Sequence, residues 1–172
     1  DRKINVDVSQ YHMGIDLRAA IHPNEIQGTC NSCIYFGISN HIDAMYMFQK
    51  HQRVAANQRF SIQSMMNCQQ SKQSNEICAK GSETEDIFKM LIQQGSSFPS
   101  AVDVPYNSDN IQAVCASPSV KRSYRVASYT RIPNGVESIK AALVNGPVLV
   151  SIYLLRVRDD RPNAFDELFQ FK

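Results

Sequence analysis

The stretch Gln27-Gly28-Thr29-Cys30-Asn31-Ser32-Cys33-Ile34-Tyr35-Phe36 sets a thiol at the mouth of a long helical pattern. Tyr35, Phe36, Ile38, Ile42, Met45, Tyr46 and Phe48 recur at helical spacing and predict a helix from Ser32 or Cys33 to about Arg53. A helix with so much apolar surface belongs in the middle of a core. The unpaired N–H groups at its start carry partial positive charge and favour thiolate over thiol, which makes Cys33 a candidate nucleophile. His41, Asp43, Lys50 and His51 fall mostly off the apolar stripe and read as solvated or packing residues. Met45, Met47, Met65 and Met66 read as adaptable core filler.

The chain has 172 residues and a formal net charge of +2, enough length for one domain with a sizeable core and too little charge for a nucleic-acid footprint. Its longest apolar run, Val148 to Leu155, has the length of a buried strand and is far short of a membrane span. Nucleic acid and membrane are therefore not expected partners. The start, Asp1-Arg2-Lys3-Ile4, has no apolar signal region, so a secreted origin implies prior removal of a signal and a propeptide, as in a zymogen.

Further elements follow from capping and punctuation. A helix is expected from Ser61 to Asn67 with Ser61 as its N-cap, and another from about Thr84 to Gln93, opened by Ser82 or Thr84 and ended by Gly95. Serines and prolines then crowd the segment from Ser96 to Asn107. Tyr124 to Tyr129 reads as a strand, Val136 to Val144 as a short helix closed by Asn145-Gly146, and Val148 to Leu155 as the next strand.

The segment around Cys33 resembles the active-site segment of papain-like cysteine proteases, Gln-Gly-x-Cys-Gly-Ser-Cys-Trp-x-Phe, with Gln27, Gly28, Cys30, Ser32, Cys33 and Phe36 matching. Ile15-Asp16-Leu17-Arg18 is similar to the opening of the mature enzymes, leaning toward group 1 mite allergens. Ser61 to Cys68 resembles Ser-x-Gln-x-Leu-x-x-Cys, Val104-Pro105-Tyr106 resembles Tyr-Pro-Tyr, and Gly146-Pro147-Val148 resembles the Gly-Pro entry to a strand. Phe165 to Phe169 is similar to the segment that follows that strand. The resemblance implies an α+β, two-lobed papain-like fold: residues 1–115 as a mainly helical left lobe, and residues 116–172 as the start of a β-rich right lobe.

The five cysteines are an odd number, and four of them allow three pairings. The resemblance implies Cys30–Cys78 and Cys68–Cys115, leaving Cys33 free, and an oxidising compartment, secreted or lysosomal and digestive. Cys30 and Cys33 form a lone Cys-x-x-Cys with no second ligand pair, which gives little support for a metal site, and the βαβ context of a redox motif is absent. No cofactor is implied.

By the same resemblance Cys33 attacks the scissile carbonyl of a peptide or protein substrate, and the Gln27 side chain with the Cys33 backbone N–H forms the oxyanion hole. Gly81 falls where a family glycine pairs main chain to main chain with substrate, although Lys80 replaces the glycine before it. Ser151 falls in the pocket for the second residue before the cleaved bond. The family's catalytic His and Asn follow the segment that Phe165 to Phe169 resembles, and none of His12, His22, His41 and His51 matches that His. A C-terminal continuation or a second chain is thus expected to carry them. Asn31 and Ile34 replace a glycine and a tryptophan, and they keep open the alternative of a catalytically inactive papain-fold paralogue with a binding or structural role.

Overall fold

The computed structural model describes residues 25–69, 74–109, 114–115 and 123–151, with the side chains of 74–76 left aside. Ile15 to Arg18, Ile152 to Leu155 and Phe165 to Phe169 lie outside the described residues.

Helix α1 runs Cys33–Lys50 and buries Tyr35, Ile38, Ser39, Ile42, Asp43 and Ala44. It stops three residues before Arg53 because His51 turns into the left-handed region, φ 53°, and returns its N–H to the Met47 carbonyl. Histidine tolerates that conformation better than most side chains. Helix α2, Ile62–Cys68, begins where Ser61 Oγ accepts the Ser64 N–H at 2.9 Å. Every residue of α2 is buried.

Helix α3, Ser74–Lys80, has no apolar periodicity long enough to announce it, but a glycine follows it. Gly81 sits at φ +73° with its N–H on the Ile77 carbonyl at 2.8 Å, a left-handed end that favours glycine. Helix α4, Thr84–Gln94, presents Ile87, Phe88 and Leu91 inward, and Gly95 at φ +59° ends it. Its N-cap is Glu83 and not Ser82 or Thr84. The Ser82 hydroxyl is committed elsewhere, donating to Gln69 Oε1, which also accepts from Tyr35 Oη at 3.0 Å. Helix α5, Val136–Leu143, carries the exposed i,i+3 pair Glu137–Lys140.

The core joins α1, α2, α4 and Ile77 with Phe60 and Phe98, whose rings lie 5.7 Å apart. Of the two readings open for Asp43, solvated or packing, the structure has the second: it is 1% exposed and meets the Arg59 guanidinium at 2.9 Å. Arg59 is 6% exposed and also reaches Glu25 and Asn40. A charge so far from water is tolerated only when paired and hydrogen-bonded.

Among the described residues no β-ladder forms; the one pairing of strand type is an isolated antiparallel bridge between Phe60 and Ser100. Tyr124 to Tyr129, expected as a strand, keeps a strand-like alternation of covered Tyr124 and Val126 with exposed Ser123, Arg125 and Ala127. Among the described residues its contacts are made by side chains. Tyr124 donates to the Gln58 carbonyl at 3.0 Å and packs on Tyr46 and Phe60, and Tyr129 stacks on Phe88 at 5.6 Å.

Residues 146–149 lie along α1. Gly146, at φ +132°, is so close that a Cβ there would come within 2.8 Å of Met45 Sδ, and a Cβ on Gly37 would come within 3.3 Å of Leu149 Cδ1. From Met45 back to Gly37 is about 12 Å of helix, and three extended residues cover about 10 Å. The segment therefore runs antiparallel to α1, toward Cys33.

Two outcomes are expected. Asp43→Ala removes the buried partner of the Arg59 guanidinium and costs about 3–5 kcal/mol, read as a lower urea midpoint, whereas Glu137→Ala at an exposed pair costs less than about 1 kcal/mol. Burial beside the Phe88 ring holds the His41 imidazole below its ordinary value of 6.5. The unfolded chain then binds a proton at a pH where the folded chain does not, so stability contributed by His41 is present above 6.5 and is lost as pH falls toward the lowered value. Thermal melts taken from neutral pH down to about pH 5 are expected to show a shallower loss of stability in His41→Phe.

Candidate active site

Cys33 is the first residue of α1, exposed, and the free cysteine among the described residues. The other four are paired: Cys30 with Cys78 and Cys68 with Cys115, both with Cα atoms 4.3 Å apart. The first bond ties the loop before α1 to α3, and the second ties the end of α2 to the chain beyond Tyr106.

The loop from Gln27 to Ser32 is shaped by hydrogen bonds that converge on one carbonyl. Cys30 O accepts from Gln27 Nε2 at 2.5 Å and from the Ser32 N–H at 2.7 Å. The Gln27 carboxamide is thereby held against the peptide that leads into Cys33. An amide nitrogen carries two hydrogens, so the second remains available to a ligand. Gly28 sits at φ +70°, and a Cβ there would come within 2.9 Å of Ser108 Oγ, which accounts for glycine at this turn.

Ser32 is fully buried and stands at the N-cap without capping the helix through its side chain. Its hydroxyl is 2.8 Å from Tyr106 Oη, and Tyr106 Oη donates to the Gln27 carbonyl at 2.7 Å. A phenol has one proton, so Ser32 donates to Tyr106 and Tyr106 donates to Gln27. The Tyr106 ring packs edge-on to Phe36 at 4.9 Å. One side chain from the loop after Pro105 thus fixes Gln27 and the start of α1 together. Tyr106 belongs to the Val-Pro-Tyr segment, but its positioning role has no signature in sequence spacing.

Asn31 lies at negative φ, since His51 is the non-glycine residue with positive φ among the described residues. Its side chain is therefore unstrained where a glycine was expected. Ile34, which stands in place of a tryptophan, packs partly buried against the core. Gly81 is adjacent to the loop, with its Cβ position 3.5 Å from the Asn31 carbonyl oxygen. Ser151 is exposed, two residues past Leu149 on the segment that runs toward Cys33.

The described histidines lie elsewhere. His41 is eight residues along α1, about 12 Å from Cys33, and His51 is beyond the far end of the helix, both out of hydrogen-bonding reach. Among the described residues no group of three His, Cys, Asp or Glu side chains is gathered as a metal site. No helix among them is long and apolar enough to cross a membrane.

The papain family cysteine protease pattern matches residues 12–158. The chain belongs to the papain family. It is 27% identical over 141 residues to a probable cysteine protease RD21C of Arabidopsis thaliana, covering 80% of this chain and 29% of that protein's length. The structure of the bromelain protease from Ananas comosus, solved in complex with the E64 inhibitor, shares its fold with a TM-score of 0.61 at 21% identity, covering 77% of this chain and 57% of that one. The helical lobe of this papain-family chain is thus the lobe of that fold.

Tyr106→Phe keeps the packing against Phe36 and deletes both hydroxyl hydrogen bonds. A loss of about 1–2 kcal/mol is expected from urea unfolding, together with a mobile Gln27 loop seen as faster amide exchange at Cys30 to Ser32.

Proposed function

We propose that this chain carries the nucleophile and oxyanion-binding elements of a papain-like cysteine endopeptidase. The observation that carries the reading is Cys33 itself, the unpaired and exposed thiol at the first residue of α1, beside cysteines that are all paired. N–H groups in the first turn of a helix have no intrahelical acceptor, so the Cys33 N–H is suited to an anionic oxygen. Gln27, tethered by one amide hydrogen to Cys30 O, offers the other to the same oxygen.

In this scheme the Cys33 thiolate adds to the carbonyl carbon of a peptide, and the negative charge moves to the carbonyl oxygen, which Gln27 and the Cys33 N–H receive. The C–N bond breaks as an imidazolium gives its proton to the leaving amine. Water then hydrolyses the thioester, releasing the acid and restoring the thiol. The histidine and its orienting asparagine come from a C-terminal continuation or a second chain. Gly81 pairs with the extended substrate, and Ser151 lines a pocket for the side chain two residues before the cleaved bond. Residues 1–115 serve as the left lobe and 116–172 open the right lobe. The two disulfides suit a secreted or lysosomal compartment, where thiols are oxidised.

The test uses the full-length protein and a peptidyl epoxide. An adduct is expected on Cys33 with peptide turnover lost in Cys33→Ala, and kcat is expected to fall about 10²–10³-fold in Gln27→Ala. A folded protein with neither adduct nor turnover would replace this reading with that of an inactive paralogue that binds.

A further inference from the structure

Three carbonyls at the end of α3 lack partners within the helix and find them outside it. Ile77 O accepts the Gly81 N–H at 2.8 Å, Cys78 O accepts the Asn31 N–H at 3.0 Å, and Ala79 O accepts Asn31 Nδ2 at 2.9 Å. A single residue of the nucleophile loop thus caps two of the three. Asn31 does so from an unstrained backbone, and its own carbonyl faces Gly81. A helix of seven residues has little stability of its own, so its end depends on such outside contacts.

The two partners stand at equal distances in sequence from the two residues of interest. Asn31 precedes Cys33 by two residues, and Ala79 precedes Gly81 by two. A hydrogen bond between them adds to the disulfide next to it a second constraint on the spacing between the nucleophile and the glycine backbone. A glycine at position 31 would keep the backbone bond and lose the one to Ala79.

From this we propose that Asn31 is a positioning residue that clamps the end of α3 to the nucleophile loop and holds Gly81 in register with Cys33 for an extended peptide. The proposal rests on the endopeptidase reading for its substrate, while the clamp itself is read without turnover. Asn31→Ala removes the side-chain donor and leaves backbone freedom unchanged, and Asn31→Gly removes the donor and adds freedom. Both are made in the full-length protein.

Hydrogen exchange of the Gly81 amide is expected to speed up about three- to tenfold in both variants, the range that loss of one hydrogen bond allows. With a peptide substrate, KM is expected to rise by a similar factor while kcat stays within about twofold. A substrate N-methylated at the amide that pairs with Gly81 is expected to lose less in the variants than in the parent, a coupling that general loosening of the fold does not produce. Unchanged exchange at Gly81 in both variants, or faster exchange in Asn31→Gly alone, overturns the clamp even if the parent protein cleaves peptides. Faster exchange in both variants of a protein that neither cleaves peptides nor reacts with the epoxide supports the clamp and removes the endopeptidase reading instead.

Discussion

Everything around Cys33 depends on the bond between Cys30 and Cys78. The loop that carries Gln27 and Cys30 has no regular structure, and α3 is seven residues long, so neither holds its place unaided. The disulfide closes a loop of 48 residues, which in the chain-entropy model removes about 4 kcal/mol of freedom from the unfolded chain. The second bond, with a sequence separation of 47, does the same for the end of α2. Because Cys30 is buried at 2% exposure, the crosslink also belongs to the core, and the loop is anchored at its middle rather than at its ends.

Polar groups then give that anchored loop one shape. Ser32 and Tyr106 form a chain of donors that ends on the Gln27 carbonyl, and the Gln27 side chain turns back to Cys30 O. Deeper in the lobe, Ser61 caps α2 and donates to the Val104 carbonyl at 2.6 Å, which fixes the loop that delivers Tyr106. Arg59, paired with Asp43 of α1, lies two residues before Ser61, and its carbonyl accepts the Ala101 N–H at 3.0 Å. Hydrophobic burial brings α1, α2 and α4 together, but it has no direction. The polar contacts supply direction: those of Gln27, Ser32 and Tyr106 meet at the start of α1, and that of Arg59 meets its middle at Asp43.

The helices that bury an apolar face are legible in the sequence. For α1, α2 and α4 the apolar spacing gives the helix span to within about three residues, and Ser61 and Gly95 act as the expected cap and stop, whereas α1 ends at His51 and α4 is capped by Glu83. Helix α3 is not legible from periodicity, since it is short and held by a disulfide and by Asn31, and only Gly81 marks its end. Asp43 stays open between a solvated and a packing role in the sequence for a related reason: only the distant Arg59, folded onto it, decides between them. Cys33, Gln27 and Gly28 stand out in the sequence because they share one contiguous motif, whereas Gly81 lies on a separate segment. Tyr106 and Asn31 act through hydrogen bonds across 79 and 48 residues, and no local pattern encodes such contacts.

The approach of the later chain to α1 explains two glycines that helix and turn rules alone do not. Gly37 lies in the interior of α1, where glycine costs about 1 kcal/mol relative to alanine, and Leu149 fills the space that a Cβ would occupy. Gly146 does the same at the other end of the contact, against Met45 and Phe48. Between these two points the segment has one direction available, up the helix toward its N-terminus. Continuing two residues past Leu149 adds about 6–7 Å, close to the rise of one helical turn from Gly37 back to Cys33. Ser151 is therefore carried toward the level of the thiol by close packing at two glycines, so the alignment of the two segments depends on side chains that are absent.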